Sequence, residues 1–340
     1  MCGMVFCRQQ TRRASPLLRE GEAHFGGCFL YRAGGHGVRY EKPPLSFEDQ
    51  ADQLMARGLE GDRALLVKRL QATNYYRFST YLYTFRGEDE DYLLGTSVER
   101  VWDLYQFDHG LRLLLLDALE TIEVHARTQL AYHFAHLHSP FDYLVPQCLP
   151  NFRLSESDFF NWERKLRIQV ERSRQPKGRE DFIVHFFRKY GGEHDMPPIW
   201  MMVELMDFGS VLSFYRGVST DIRRELAASL GISHQVTINW LLVLNSVRNR
   251  CAHHARLWNW NLGYPVTIPE RDPRWAIYRN MNRRLAAVLH VCRHWLAKVD
   301  AGHAWHQRVS DHFAKHPHID LLAMGLKPGW QDQALWKNPS

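Results

Sequence analysis

Between Leu226 and Pro269 the chain has no aspartate or glutamate, although 37 acidic residues are spread over its 340 positions. Cations in such a stretch have no counter-ions nearby in sequence, which suits contact with a polyanion. Long apolar runs are also missing. The longest uninterrupted runs, such as Trp240–Leu244, fall far below the roughly 20 residues needed to cross a bilayer. No basic start leads into an apolar core of signal-peptide length, so a membrane-free, cytoplasmic protein is expected. Cysteine is sparse and unpaired in pattern. Cys2, Cys7 and Cys28 lie near the N-terminus, and Cys148, Cys251 and Cys292 are scattered singly. That distribution argues against a disulfide scaffold and offers no Cys-x2-Cys or zinc-type Cys/His frame, so no metal and no cofactor are expected. A Gly-rich phosphate loop, a Gly-x-Ser-x-Gly elbow and a His-Glu-x-x-His pair are all lacking, which disfavours a kinase, ATPase, α/β-hydrolase or zincin.

The net charge of +6 is unevenly placed. Residues 1–40 carry Arg8, Arg12, Arg13, Arg19, Arg32 and Arg39 against Glu20 and Glu22, while the other 300 residues hold 37 basic and 35 acidic side chains. Any nucleic-acid contact must therefore come from local clusters rather than from the overall field.

Alternation of the strand type is nearly absent, and apolar residues recur at three- and four-residue steps, which predicts an all-α fold. Ser46 reads as the N-cap of a helix to about Arg57. Further helices are expected over 62–72, 74–85, 97–138, 156–172, 182–190, 199–216, 221–230, 234–255 and 273–298, with a bend at Gly110 in the longest. Residues 1–39, with Gly pairs at 26–27 and 34–35, read as an irregular leader. Residues 40–340 read as a single α-helical domain.

Within the carboxylate-free stretch stands Arg248-Asn249-Arg250-Cys251-Ala252-His253-His254-Ala255-Arg256. The Arg-x4-His spacing alone is uninformative, because 34 Arg and 19 His placed at random over 340 positions give about two such pairs, and the chain has two. Arg19–His24 lies in the Gly-rich leader, whereas Arg248–His253 lies on a strong helix candidate. Asn245, Asn249 and His253 fall in line on one face of that helix, and Arg248 lies about 140° round the axis from His253. Three arrangements reconcile the offset: a long reach by the arginine, a helix end near His253, or completion of the site by a second protomer, which is the one favoured. An imidazole can take and give protons near neutrality, and a guanidinium holds phosphate oxygens in a planar fork. Arg248, Asn249 and His253 are thus candidate catalytic residues for work on a phosphodiester, with His254, Arg256 and Arg250 as candidate RNA contacts. A second basic cluster, including Arg164, Lys165 and Arg167, is interleaved with Trp162, Phe182, Phe186 and Phe187. It reads either as a nucleic-acid track or as a solvated helix face over core aromatics. Glu123 and Arg127 read as an intrahelical ion pair, and the late histidines His303, His306, His312, His316 and His318 lack the partners of a metal frame.

Several landmarks in order resemble the bacterial abortive-infection Abi proteins of the AbiD/AbiF-like group, which carry a HEPN-type ribonuclease motif. They are Lys42-Pro43-Pro44-Leu45-Ser46-Phe47, Asn74-Tyr75-Tyr76-Arg77-Phe78, Leu104-Tyr105-Gln106-Phe107-Asp108 leading to Leu119-Glu120-Thr121-Ile122-Glu123-Val124, the Arg248–Asn259 segment, and Met324-Gly325-Leu326 through Trp336. The resemblance implies a HEPN-like helical bundle with additional helices. It also implies metal-independent endoribonuclease activity in phage defence, a homodimer with a composite active site, RNA as substrate and a small non-coding RNA as partner. An RNA-binding or regulatory protein with this fold and no cleavage is the alternative. Residues 1–39 match nothing in that group, so the native start is expected near Val38.

Overall fold

The computed structural model describes residues 43–87, 89, 91–152, 156–299 and 304–337. The leader, the start near Val38, the Arg19–His24 pair and His303 lie outside the described residues. Every helix below belongs to one compact unit that begins at Ser46.

Each early helix starts where a short polar side chain can accept an otherwise unpaired N–H. Ser46 accepts from the Asp49 amide at 3.0 Å and opens α1, Phe47–Ala56. Asp62 accepts from the Leu65 amide at 2.9 Å and opens α2, Arg63–Thr73. Asn74, with φ of 70°, turns the chain sharply into α3, Tyr75–Leu82. Then come α4, Val98–Leu137, α5, Glu156–Arg174, and α6, Asp181–Tyr190. Next are α7, Ile199–Leu205, α8, Phe208–Gly217, α9, Thr220–Ser229, and α10, His234–Ala252. The described residues end with α11, Leu285–Val299, α12, Trp305–Ala314, and the short α13, Ala334–Lys337. No β-strand occurs among the described residues, only two isolated bridges. The fold is all-α, as the periodicity predicts.

Helix α4 organises the rest. Its 40 residues reach about 60 Å at 1.5 Å per residue, and it packs against α3, α7, α8, α9, α10, α11 and α12. Val101, Leu104, Leu111, Leu115, Ala118, Ile122, Ala126 and Leu130 form its buried stripe. The bend expected at Gly110 does not interrupt the helix. A side chain there would collide with the His312 ring, since a Cβ would lie 2.3 Å from Cε1. Gly110 is small because α12 crosses there, with His312 Nε2 2.8 Å from the Phe107 carbonyl oxygen.

Two expected helices are broken. The 199–216 segment divides at Met206–Asp207, where Asp207 accepts from the Ser210 amide at 2.7 Å and starts α8. The 273–298 segment is a 3-10 turn over Pro273–Tyr278 followed by α11. Between them Asn282 and Arg283 give their carbonyls to the Val266 and Leu262 amides, at 2.8 and 2.9 Å. Tertiary hydrogen bonding there wins over helix propensity.

Candidate active site

Helix α10 is held by buried Trp240, Leu241, Leu244, Val247 and Cys251, and it ends at Ala252 rather than Ala255. His253 is its C-cap. The His253 amide still donates to the Asn249 carbonyl at 2.9 Å, while His254 turns into the left-handed region at φ 56°. The helix therefore ends near His253, which is one of the three arrangements that could reconcile Arg248 with His253. His253 and His254 are exposed, and Arg248 and Asn249 are half-buried. Asn249 sits one turn below His253, and its Oδ1 lies 3.4 Å from Arg248 Nη1.

The segment after the helix is pinned by groups far away in sequence. Arg77 of α3 donates to the His254 carbonyl at 2.5 Å. Asp108 of α4 is completely buried and accepts from the amides of Leu257 and Trp258 at 3.0 and 2.6 Å. It also accepts from the Tyr81 hydroxyl at 2.7 Å and from Arg112 at 2.5 Å. Burial, with the nearby Asp108 carboxylate adding to it, drives the Tyr81 hydroxyl far above the ordinary tyrosine range. Burial also pushes the Cys251 thiol up to about 12, which makes it inert near neutrality.

Two of the candidate RNA contacts are engaged in this scaffold. Arg250 donates to the Arg256 carbonyl at 2.9 Å, and its guanidinium lies 4.5 Å above the Trp260 ring. Arg256 donates to the Thr80 carbonyl of α3. Desolvation lowers the pKa of both guanidiniums, although arginine keeps its charge through any working pH. Neither head is directed to solvent alone.

The gap in acidic residues along the sequence is not a gap in space. Arg248 lines an open cleft of about 370 Å³ against α4, together with Glu120, Glu123, Val124 and Arg127. Burial pushes the Glu123 carboxyl up, against the opposing pull of Arg127 and Arg248. Glu123 and Arg127 form the expected ion pair, and Arg127 also donates to the Met206 carbonyl, closing the end of α7. The carboxylates come from α4, more than a hundred residues away in sequence, so a scan along one segment does not find them. A larger hollow, about 730 Å³, lies at the other end of α10 beside Ser233, Thr267 and Lys298. At 1.5 Å per residue the helix sets it nearly 30 Å from His253.

The second basic cluster lies on α5, apart from this site. Arg164 and Lys165 are exposed. Arg167 is held by Glu163 and Asp195, each at 2.7 Å. Of the interleaved rings, Trp162 and Phe186 are buried, Phe187 is partly buried and Phe182 is exposed. Of the late histidines, His312 stacks on Phe107 and His316 Nδ1 lies 2.7 Å from Asp103.

The residues the sequence scan missed are Asp108, Arg112 and Tyr81. A signal exists for them, since Asp108 and Arg112 are four apart on the same face as Leu104, Leu111 and Leu115, where a charge is out of place.

A family model described as Abi-like protein matches residues 68–259, more than half of the chain, from α2 through the segment after α10. No curated protein and no solved structure matches.

Proposed function

The chain belongs to the Abi-like protein family, which points to a role in abortive infection, and from this we propose that it is a HEPN-type endoribonuclease that cuts RNA without a metal ion. The observation that carries the reading is His253: an exposed imidazole at the end of a core-packed helix, with Asn249 one turn below and Arg248 about 140° round the helix axis. The segment that follows is tied to α3 and α4, so the ring sits on a preorganised platform.

The chemistry uses the 2′-hydroxyl of RNA as nucleophile. His253 takes the hydroxyl proton as the oxygen attacks phosphorus. The 5′-oxygen leaves and receives a proton from His253 of a second copy, giving a 2′,3′-cyclic phosphate and a 5′-hydroxyl. Arg248 binds the scissile phosphate and offsets charge on its non-bridging oxygens, and Asn249 orients the imidazole or a phosphate oxygen. General acid/base work of this kind contributes about 10²–10⁴-fold. The two-copy arrangement is supported by exposed apolar residues on α4: Leu113 is 54% and Val124 49% exposed. Val124 borders the Arg248 cleft.

Incubating purified protein with labelled RNA in EDTA tests the reading. The expected products carry 2′,3′-cyclic phosphate ends, and His253→Ala is expected to keep RNA affinity and lose cleavage. Full activity in that variant refutes the assignment. Tight binding without products supports the alternative, an RNA-binding regulator.

A further inference from the structure

The fold brings together three side chains that no spacing rule singles out. His138 is the C-cap of α4, its amide donating to the Phe134 carbonyl at 2.9 Å. Asp142 opens the next 3-10 turn, Asp142–Leu144, and Cys148 closes the one after, Pro146–Cys148. The three residues lie within eleven positions of the chain, 138–148. A ring nitrogen of His138, a carboxylate oxygen of Asp142 and Cys148 Sγ all lie within 4.8 Å of one another.

We propose that His138, Asp142 and Cys148 bind one Zn2+ ion, with water as the fourth ligand.

Four observations support the site. First, His138 Nε2 is buried without a hydrogen-bond partner, an arrangement that is unfavourable unless something else takes its lone pair or proton. Second, Asp142 is already oriented. Its two oxygens accept from the Ser139 amide at 2.8 Å and the Ser139 hydroxyl at 2.5 Å, leaving a lone pair on each for a metal, as second-sphere donors do. The Ser139 bonds account for Asp142 as a turn residue, but they account for neither His138 nor Cys148. Third, the turn is fixed from outside. The buried Tyr143 hydroxyl donates to the Pro197 carbonyl at 2.7 Å, the Ile199 amide donates to the Pro140 carbonyl at 2.9 Å, and Phe141 stacks on His194 at 4.2 Å. The donors are therefore held near one another before any ion arrives. Fourth, the charges balance, because one carboxylate and one thiolate neutralise a dication.

The donor set selects the metal. Imidazole and thiolate favour zinc over magnesium or calcium. Zinc places tetrahedral ligand atoms about 3.3–3.8 Å apart, given bonds of about 2.0–2.3 Å, so side-chain rotations of about an ångström close the set. A thiol nucleophile is the competing use of a Cys/His/Asp group. Burial, aided by Asp142, pushes the Cys148 thiol up, the reverse of what activates a cysteine, whereas a bound metal displaces that proton. The site is independent of the RNA-cleavage reading. His138 lies 30 residues beyond Asp108 on the same helix, about 45 Å at 1.5 Å per residue.

The test uses the full chain with Cys2, Cys7 and Cys28 changed to Ser, stripped of metal and titrated with Co2+ as a spectroscopic probe. The expected result is a thiolate-to-cobalt charge-transfer band that saturates at one equivalent and is displaced by one equivalent of Zn2+. Cys148→Ser abolishes the band. His138→Gln weakens binding at least as much as loss of a second-sphere partner, and Ser139→Ala weakens it about 10–100-fold. Zn2+ also raises the melting temperature of the parent but not of Cys148→Ser. Absence of the band at stoichiometric Co2+, or its persistence in Cys148→Ser, overturns the proposal. If Cys148→Ser does not fold, iodoacetamide labelling of the parent decides. Zn2+ must protect Cys148 from alkylation, and unchanged labelling overturns the site.

Discussion

The backbone amide of Trp258 donates to the buried carboxylate of Asp108 across 2.6 Å of space and 150 residues of sequence. The same carboxylate takes hydrogen bonds from Leu257, Tyr81 and Arg112. It thereby fastens the segment after His253 to the central helix. Arg112 and Asp108 are 3% and 0% exposed, so each charge depends on the other. Asp108→Asn is expected to cost about 3–5 kcal/mol, because it leaves a buried guanidinium without its counter-charge. Urea unfolding followed by circular dichroism measures the loss. Asp108→Asn combined with Arg112→Met should recover part of it, and a loss below about 1 kcal/mol for the single change contradicts the clamp.

His254 occupies a helix-terminal position that favours glycine, with φ of 56°. A left-handed conformation costs an L side chain about 1–2 kcal/mol, part of which glycine gives back through its freer unfolded chain. His254→Gly is therefore expected to raise stability by up to about 1 kcal/mol, whereas His254→Val, β-branched, should lower it. The Arg77 bond runs to the His254 carbonyl and survives both changes. If His254 only shapes the turn, His254→Gly cleaves RNA at the parental rate. A loss of cleavage without loss of RNA affinity gives the imidazole a chemical role instead.

Helix positions were legible because their signals are local. Ser46 and Asp62 cap α1 and α2, and the periodicity of α4 runs through Gly110 without a break. What was not legible depends on distant partners. Asp207 restarts a helix beside a Met206 carbonyl that accepts from Arg127, a partner on a distant helix. The catalytic candidates themselves were visible as a motif, but their electrostatic setting was not. Glu120 and Glu123 reach Arg248 by folding rather than by sequence neighbourhood. The uses of Arg250 and Arg256 as loop supports follow from carbonyls that no pattern of side chains encodes.

His290 sets an acid limit on stability. It is fully buried on α11, with Nδ1 2.8 Å from the Ala286 carbonyl oxygen and Nε2 2.9 Å from the Tyr278 hydroxyl. Burial lowers its pKa from 6.5 to about 4. The unfolded chain therefore binds more protons than the native one between those values, and stability rises with pH across the window. The contribution is fully present above about 6.5 and is lost as pH falls towards 4, amounting to about 3 kcal/mol at 1.36 kcal/mol per pH unit. Urea midpoints measured from pH 4 to 7 should show that slope, and His290→Gln, which cannot titrate, should flatten it. An unchanged slope in the variant assigns the acid sensitivity elsewhere.

Leu113 and Val124 are eleven residues apart on α4, three helical turns, and both leave about half of an apolar side chain in solvent. At 100° per residue they fall within about 20° of each other, on the side of α4 that carries Glu120 and the Arg248 cleft. If two copies meet along this line, their His253 rings can share one phosphodiester, one taking and one giving a proton. Leu113→Asp with Val124→Asp then places like charges across the contact. That should convert the dimer to monomer in sedimentation velocity. Neither residue is buried in the core of its own chain, so the melting temperature at low protein concentration should change little. Cleavage should fall at least about 100-fold where the parent is dimeric, the least expected from losing one partner of an acid/base pair. A monomeric variant that cleaves at the parental rate shows that a single chain carries the whole site, and the two-copy mechanism fails.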